Sequence, residues 1–149
     1  MLGLLGFGLV DETKGRVRMG IGGDDAGKLV DIVDSPGTPP ASNGLGTVHH
    51  VAFAVSDEDE QLRLRAELIR QGLAVTEVLD RCYFRSVYFR EPGGILFEVA
   101  TTKPGFTIDE DLDSLGSSLR LPPWEEQNRE EIEAQLPRVN GLSAPEQVG

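Results

Sequence analysis

Residues 83–100, YFRSVYFREPGGILFEVA, decide the fold because they read as two strands joined by a tight turn. Aromatic and β-branched residues, which are typical of strands, occur in both halves of this stretch. The Pro-Gly-Gly between the halves is typical of a turn. Five of the six residues in the closing ILFEVA, 95–100, are apolar and indicate a buried strand. The sixth is Glu98, a carboxylate in the middle of an apolar run.

This carboxylate needs a chemical partner if the strand is buried. Because uncompensated burial of an ion costs too much free energy, Glu98 must be protonated, paired with a cation or bound to a metal. Side chains alternate along a strand, so Glu98 shares its face with Leu96 and with the small Ala100.

The two histidines of the chain, His49 and His50, are adjacent in a second apolar strand, TVHHVAFAV. Neighbours along a strand point to opposite faces. One of the two histidines therefore shares its face with two alanines, whose small side chains leave room for a site. That residue is His50, which is therefore the better partner for Glu98. The residues alone leave two interpretations open, a metal site and two ordinary polar side chains. Two ligands also do not complete the two-His, one-carboxylate site of non-haem Fe(II) enzymes.

The pattern around these strands predicts an α+β fold. SDED at 56–59 predicts a helix that is capped by Ser56 and ends at Gly72, and the element order from residue 47 is β-α-β-β-β. We divide the chain into a truncated module of three strands, a linker, a complete module and a tail with one helix, at 1–34, 35–46, 47–102 and 103–149. The predicted strands are 4–10, 16–21, 28–34, 47–55, 73–79, 83–91 and 95–102.

Turns and tail complete the predicted organisation. DDAG at 24–27 predicts a turn, and the Pro-, Gly- and Ser-rich 35–46 predicts a long connection. LPPW at 121–124 predicts the start of a helix that continues to Leu136, because proline is favoured in a first turn. We expect the last ten residues to be frayed.

Composition excludes several classes of protein. The 149 residues suffice for one ordinary domain with a core, and the net charge of −11 makes nucleic acid an unsuitable partner. No apolar run is long enough to span a membrane, so we expect a soluble, cytoplasmic protein with no membrane partner. The single Cys82 excludes an intrachain disulfide and a cysteine metal cluster.

GTVHHVAFAV together with DRCYFRSVYFREPGGILFEVAT resembles the vicinal oxygen chelate superfamily, which includes glyoxalase I, fosfomycin and bleomycin resistance proteins and extradiol dioxygenases. The module of that superfamily is β-α-β-β-β. The His-His pair, the run YFRSVYFREPGG and the LPPW tail resemble its hydroquinone-type ring-cleaving dioxygenases, over nearly the whole chain. The resemblance implies Fe(II), with Mn(II) as the alternative metal, and a small aromatic diol and O2 as substrates of aromatic degradation.

The same resemblance implies roles for five residues. His50 and Glu98 match the metal ligands of the last module, and His49 matches an acid-base residue beside the metal. Tyr88 matches an active-site tyrosine and Arg81 a substrate-side arginine. A phenol or imidazole near a bound diolate can pass protons or hydrogen-bond an oxyanion, and an arginine can hold negative charge. Without the resemblance, each of these last three residues has an ordinary structural interpretation.

The chain also departs from that subgroup. Its members are about twice as long and have four modules, and their third metal ligand is a histidine of the first module. This chain has no third histidine, so we expect a C-terminal fragment, a separately encoded half that pairs with an N-terminal half, or a protein that has lost the activity. Exposed edges of the truncated module favour a homodimer. The alternatives are a glyoxalase-type lyase or isomerase and a metal-free binding module of the bleomycin-resistance type.

Overall fold

The computed structural model describes residues 1–23, 25–39 and 44–137. Part of the predicted turn, the centre of the predicted linker and the last ten residues lie outside these ranges. The described elements are β1 (Gly8–Thr13), β2 (Arg16–Gly20), β3 (Leu29–Val33), β4 (Val51–Val55), α1 (Glu58–Arg70), β5 (Leu79–Asp80), β6 (Arg85–Arg90), β7 (Leu96–Thr101) and α2 (Arg129–Gln135). Four short 3-10 helices accompany them, at Leu2–Leu5, Phe106–Ile108, Leu112–Ser114 and Glu126–Asn128.

Two sheets carry the fold. The first is antiparallel, with the order β1-β2-β3, and the second has the order β4-β7-β6-β5. Within the second sheet β4 runs parallel to β7, and the other neighbours are antiparallel. The chain order β4-α1-β5-β6-β7 is that of the predicted module, and the predicted α+β class is confirmed.

Helix α1 covers one face of the second sheet. Its N-terminus is capped by Asp57, whose side chain accepts a hydrogen bond from the backbone N–H of Glu60 at 2.8 Å. The prediction that Ser56 caps the helix is wrong by one residue. Ser56 precedes the cap, and its backbone N–H donates to the Glu60 carboxylate. The two contacts resemble a capping box in which the Glu60 side chain bonds to the residue before the cap. Gly72, with φ +85°, follows the end of the helix.

The hydrophobic core lies between α1 and this sheet. Side chains that alternate along β6 and β7 point into it, together with the buried Leu68 of α1. The N-terminal segment adds to the same core, since the rings of Phe7 and Phe53 lie edge to face with centroids 5.7 Å apart. The buried core residues are Leu2, Phe7, Val55, Leu68, Val87, Phe89, Phe97 and Val99. The opposite face of β6 and β7 is therefore free to carry polar side chains.

Three predicted strands are only partly formed, and one of them, predicted at 47–55, begins only at Val51. The strand predicted at 4–10 begins at Gly8, because Leu2–Leu5 forms a 3-10 helix that places Leu2 in the core. The strand predicted at 73–79 is reduced to β5 and one bridge between Val75 and Phe89. In its place, the side chain of Thr76 accepts a hydrogen bond from the backbone of Tyr88.

The predicted helix of the tail is also shorter than expected. Two prolines form a turn in which the backbone N–H of Glu125 donates to the carbonyl of Pro122 at 2.8 Å. A 3-10 helix follows, and regular α-helix begins only at Arg129. No helix in the described part of the chain is long and apolar enough to span a membrane.

Candidate metal centre

Glu98 lies at the centre of the second sheet and is only 3% exposed. The register pairs it with Ala52 of β4 on one side and with Tyr88 of β6 on the other. Its side chain leaves the sheet on the face opposite the hydrophobic core, between two strands that hold its backbone. The carboxylate is therefore fixed in position and removed from bulk water.

Each oxygen of this carboxylate has different partners. Oε1 accepts hydrogen bonds from the Tyr88 hydroxyl at 2.6 Å and from the Ser86 hydroxyl. Oε2 lies 2.8 Å from Nε2 of His50. The buried charge thus has two hydroxyl donors on one oxygen and an imidazole on the other, which is the kind of compensation that burial demands.

His50 reaches Glu98 from just before the start of β4. The alanines that share its face are small, as the parity argument required, and the imidazole remains half-buried. His49 is exposed and is not packed under the helix. Its Nδ1 lies 2.9 Å from Nδ1 of His50, so one of the two rings donates and the other accepts. His49 can therefore influence the tautomer of His50.

Arg81 and Tyr88 extend the cluster on the other side. The Arg81 guanidinium lies 5.3 Å from the centre of the Tyr88 ring, a cation–π contact, and the same ring stands edge to face with His50 at 6.0 Å. The five residues singled out in the sequence are thus connected in one chain of contacts, from His49 through His50, Glu98 and Tyr88 to Arg81.

Ser86 is the member of the cluster that sequence reasoning missed. It is completely buried, and its hydroxyl donates to Glu98. Strand alternation carried the signal, because Ser86 is two residues before Tyr88 and must share its face. A serine in a strand is too common to be selected without knowing which carboxylate lies opposite.

A cavity of about 400 Å³ adjoins the cluster at Arg81. The tail forms its far wall with Leu121, Pro122, Pro123 and Trp124. Tyr83 contributes to the lining and donates its hydroxyl to Asp109 at 3.1 Å. Burial, and then the hydrogen bond to Asp109, raise the pKa of Tyr83, so this phenol stays protonated at neutral pH. The cavity therefore combines apolar surface, an aromatic ring and the cationic Arg81.

The His50–Glu98 pair suits a divalent metal in both chemistry and spacing. Nε2 of His50 and Oε2 of Glu98 lie 2.8 Å apart, so both donor atoms could bind the same ion. Imidazole and carboxylate are ligands that Fe(II) accepts. No group of three His, Cys, Asp or Glu side chains that could hold a metal ion occurs within residues 1–23, 25–39 and 44–137, so His50 and Glu98 would supply two ligands of an incomplete set.

Comparison with known proteins identifies the family. The model of the Glyoxalase/Bleomycin resistance protein/Dioxygenase superfamily matches residues 2–99. The chain belongs to this superfamily. It is 45% identical over 107 residues to "Putative ring-cleaving dioxygenase MhqA" of Bacillus subtilis, covering 72% of this chain and 34% of that protein. It is 39% identical over 122 residues to the chlorohydroquinone/hydroquinone 1,2-dioxygenase of Sphingobium indicum, covering 77% of this chain and 36% of that protein.

Solved structures agree with this assignment of the superfamily fold. A structure described as a putative dioxygenase from Bacillus subtilis has a TM-score of 0.80 and 39% identity, covering 89% of this chain and 42% of that one. A superfamily domain from Frankia sp. EAN1pec, at 16% identity, has a TM-score of 0.54 and covers 68% of this chain and 78% of its own. The chain spans 31% to 43% of the length of the curated relatives that it matches.

Proposed function

We propose that this chain is the metal-binding C-terminal half of a dioxygenase that opens the ring of a hydroquinone- or catechol-type diol. One observation carries the proposal: a buried glutamate, Glu98, directs one oxygen at Nε2 of His50 and has its other oxygen occupied by hydroxyl donors. His50 and Glu98 would hold Fe(II), or Mn(II) as the alternative. The names of the relatives, ring-cleaving and hydroquinone dioxygenases, support the substrate class.

The chemistry supplied by bound Fe(II) is Lewis acidity towards the diol oxygens and electron transfer to O2. The chain's own residues act around it. Tyr88 donates a hydrogen bond to Glu98, so its oxygen is free to accept a hydrogen bond from a substrate hydroxyl. The exposed His49 can take a proton from the diol as general base. Arg81, at the mouth of the cavity, stabilises negative charge on the substrate.

A third metal ligand must come from outside the described residues under this proposal. We propose that it comes from a second copy of the chain or from an N-terminal half. The first sheet offers a surface for such pairing, because Leu9, Val10, Ile32 and Val33 are exposed. Analytical size exclusion checks the homodimer, and a monomer at concentrations of tens of micromolar would contradict it.

Metal content and oxygen uptake test the function directly. Anaerobically purified protein, reconstituted with Fe(II), should retain iron, and Glu98→Ala and His50→Ala should lose it. Oxygen uptake with hydroquinone should require the iron. Arg81→Ala is the matched control, since it should keep the iron and lose uptake. A lyase activity without oxygen consumption would favour the glyoxalase type, and ligand binding that persists in EDTA would favour the metal-free binding module.

A further inference from the structure

We propose that Ser86 is the positioning residue that holds one oxygen of the Glu98 carboxylate, so that the plane of the carboxylate directs the other oxygen at His50. The expected effect of Ser86 on metal affinity rests on the proposed function. The effect of Ser86 on the orientation of the carboxylate does not rest on it, because the contacts are between residues of this chain alone.

The first support is the burial and the contact of Ser86. The side chain is completely buried and its hydroxyl donates to Oε1 of Glu98, which is itself 3% exposed. Bulk water is therefore excluded from this contact. A lost hydroxyl at this position would therefore leave Oε1 with the Tyr88 hydroxyl as its remaining partner in the described residues.

The second support is the geometry of two donors on one oxygen. The last torsion of a glutamate side chain is broad, so a single hydrogen bond leaves the carboxylate plane poorly defined. Ser86 donates from one position along β6 and Tyr88 from two residues further on, and both reach Oε1. Two donors from different positions fix the plane as well as the occupied oxygen. Oε2 is then left for the imidazole.

The third support is the way in which the backbone of Ser86 and Glu98 is held. From the core side, the buried Gln61 of α1 donates Nε2 to the carbonyl of Arg85 and to the carbonyl of Val99, each at 2.8 Å. These carbonyls belong to the residue before Ser86 and the residue after Glu98. The helix therefore fixes both strands where the hydroxyl and the carboxylate leave the sheet, so their separation is set by the fold.

The chemical character of the donor also matters. A hydroxyl fixes the carboxylate without neutralising its charge, whereas a guanidinium or ammonium at the same place would compete with a metal cation. Partners that orient a metal ligand commonly change metal affinity by 10- to 100-fold when they are removed. Ser86 has the properties expected of such a partner.

The test is a set of variants examined by crystallography and by Fe(II) titration. In Ser86→Ala, neither oxygen of Glu98 should remain within hydrogen-bonding distance of Nε2 of His50, and Ser86→Thr, which retains the hydroxyl, should restore the contact. Ser86→Cys fills the position with a weak donor, so a partial displacement is expected even if the alanine variant does not fold. Thr101→Val is the matched control, because its buried hydroxyl bonds to β6 and Lys103 without touching Glu98.

The outcomes separate this inference from the proposed function. A carboxylate with wild-type orientation in both the alanine and the cysteine variant would overturn the role of Ser86. If the wild-type protein binds Fe(II), Ser86→Ala should weaken binding by about 10- to 100-fold and Thr101→Val should not. Equal affinity in Ser86→Ala would also overturn it. If the wild-type chain binds no Fe(II), the proposed function fails for this chain, and the crystal structures still decide the orientation.

Discussion

Two pairs of strands in this molecule carry a carboxylate in the same way and use it differently. In the second sheet, Glu98 lies directly opposite Tyr88. In the first sheet, Asp31 lies directly opposite Arg18. Each carboxylate accepts hydrogen bonds from the residue opposite and from the residue two positions earlier, which is Ser86 in one sheet and Arg16 in the other.

The donors make the difference between the two sites. Arg18 donates Nε to one oxygen of Asp31 at 2.8 Å and Nη2 to the other at 3.0 Å, and Arg16 adds a further contact. Both oxygens are thus occupied by cations. The hydrogen bonds from Arg18 first and Arg16 second hold the pKa of Asp31 well below its ordinary value. Glu98 instead meets neutral hydroxyls at one oxygen and keeps the other directed at an imidazole.

The comparison shows that the backbone arrangement alone does not define a metal site. Both strand pairs bring a carboxylate and two donors together. Where the donors are guanidinium groups, the carboxylate's charge is already satisfied, and a metal would have to displace them. Where they are hydroxyls, the carboxylate is oriented and its charge remains available. The chemistry of two side chains on the partner strand decides between these cases.

The largest effect is expected from making the second site resemble the first. Tyr88→Arg places a guanidinium opposite Glu98, where it should form the paired contact that Arg18 makes with Asp31. Fe(II) affinity, measured by anaerobic titration, should fall by about 100-fold. The reciprocal change Arg18→Tyr is the control and should leave Fe(II) affinity unchanged. Wild-type affinity in Tyr88→Arg would show that the charge of the donors is not the deciding property.

A smaller effect is expected from replacing Gln61, whose side chain holds the strands of the second site together. Gln61 bonds to the backbone of β6 and β7, and in the described residues no helix side chain donates to β2 or β3. Gln61→Leu keeps the volume and leaves the carbonyls of Arg85 and Val99 without this donor. The free energy of unfolding in urea should fall by about 1–3 kcal/mol.

An exposed glutamine in the same helix region provides the control for this change. Gln71→Leu should alter stability by no more than about 0.5 kcal/mol. Equal urea midpoints for Gln61→Leu and the wild type would mean that Gln61 does not hold the strands together.

The smallest effect concerns the pH dependence of the first site. Because the folded-state pKa of Asp31 is lowered, its ion pairs stabilise the fold above the unfolded-state pKa of about 3.9. This contribution is lost as the pH falls towards the folded-state pKa. Asp31→Asn removes it, so the gap in melting temperature between wild type and variant should be widest near neutral pH. It should shrink below about pH 4. Thermal melts across the acid range check this, and a constant gap would contradict the assignment.

Much of the second site could be predicted from the sequence because strand parity is a strong constraint. Glu98 lies beside Ala100 in β7, and the module order makes β4, which begins directly after His50, the neighbour of β7. The exposed position of His49 was not predictable from parity, because regular strand structure begins only at Val51. Alternation holds only within the strand.

The features that sequence reasoning missed depend on contacts between distant segments. Asp31 and Arg18 look like ordinary exposed strand residues until the register places them opposite each other. The N-terminal apolar run forms a 3-10 helix because its leucine side chains pack against the core of the other module. No local sequence pattern indicates this contact. Gln61 is similar, since a helix glutamine looks solvent-exposed until the strands behind it are known.

The most direct test of the central claim is a paramagnetic titration followed residue by residue. Mn(II), added to isotopically labelled protein, broadens the NMR signals of residues near the ion. We predict that amide signals around His50 and Glu98 broaden first, that Glu98→Gln abolishes this, and that signals around Asp31 stay sharp. Broadening centred on Asp31, or spread evenly over exposed acidic residues with Glu98 unaffected, would contradict it.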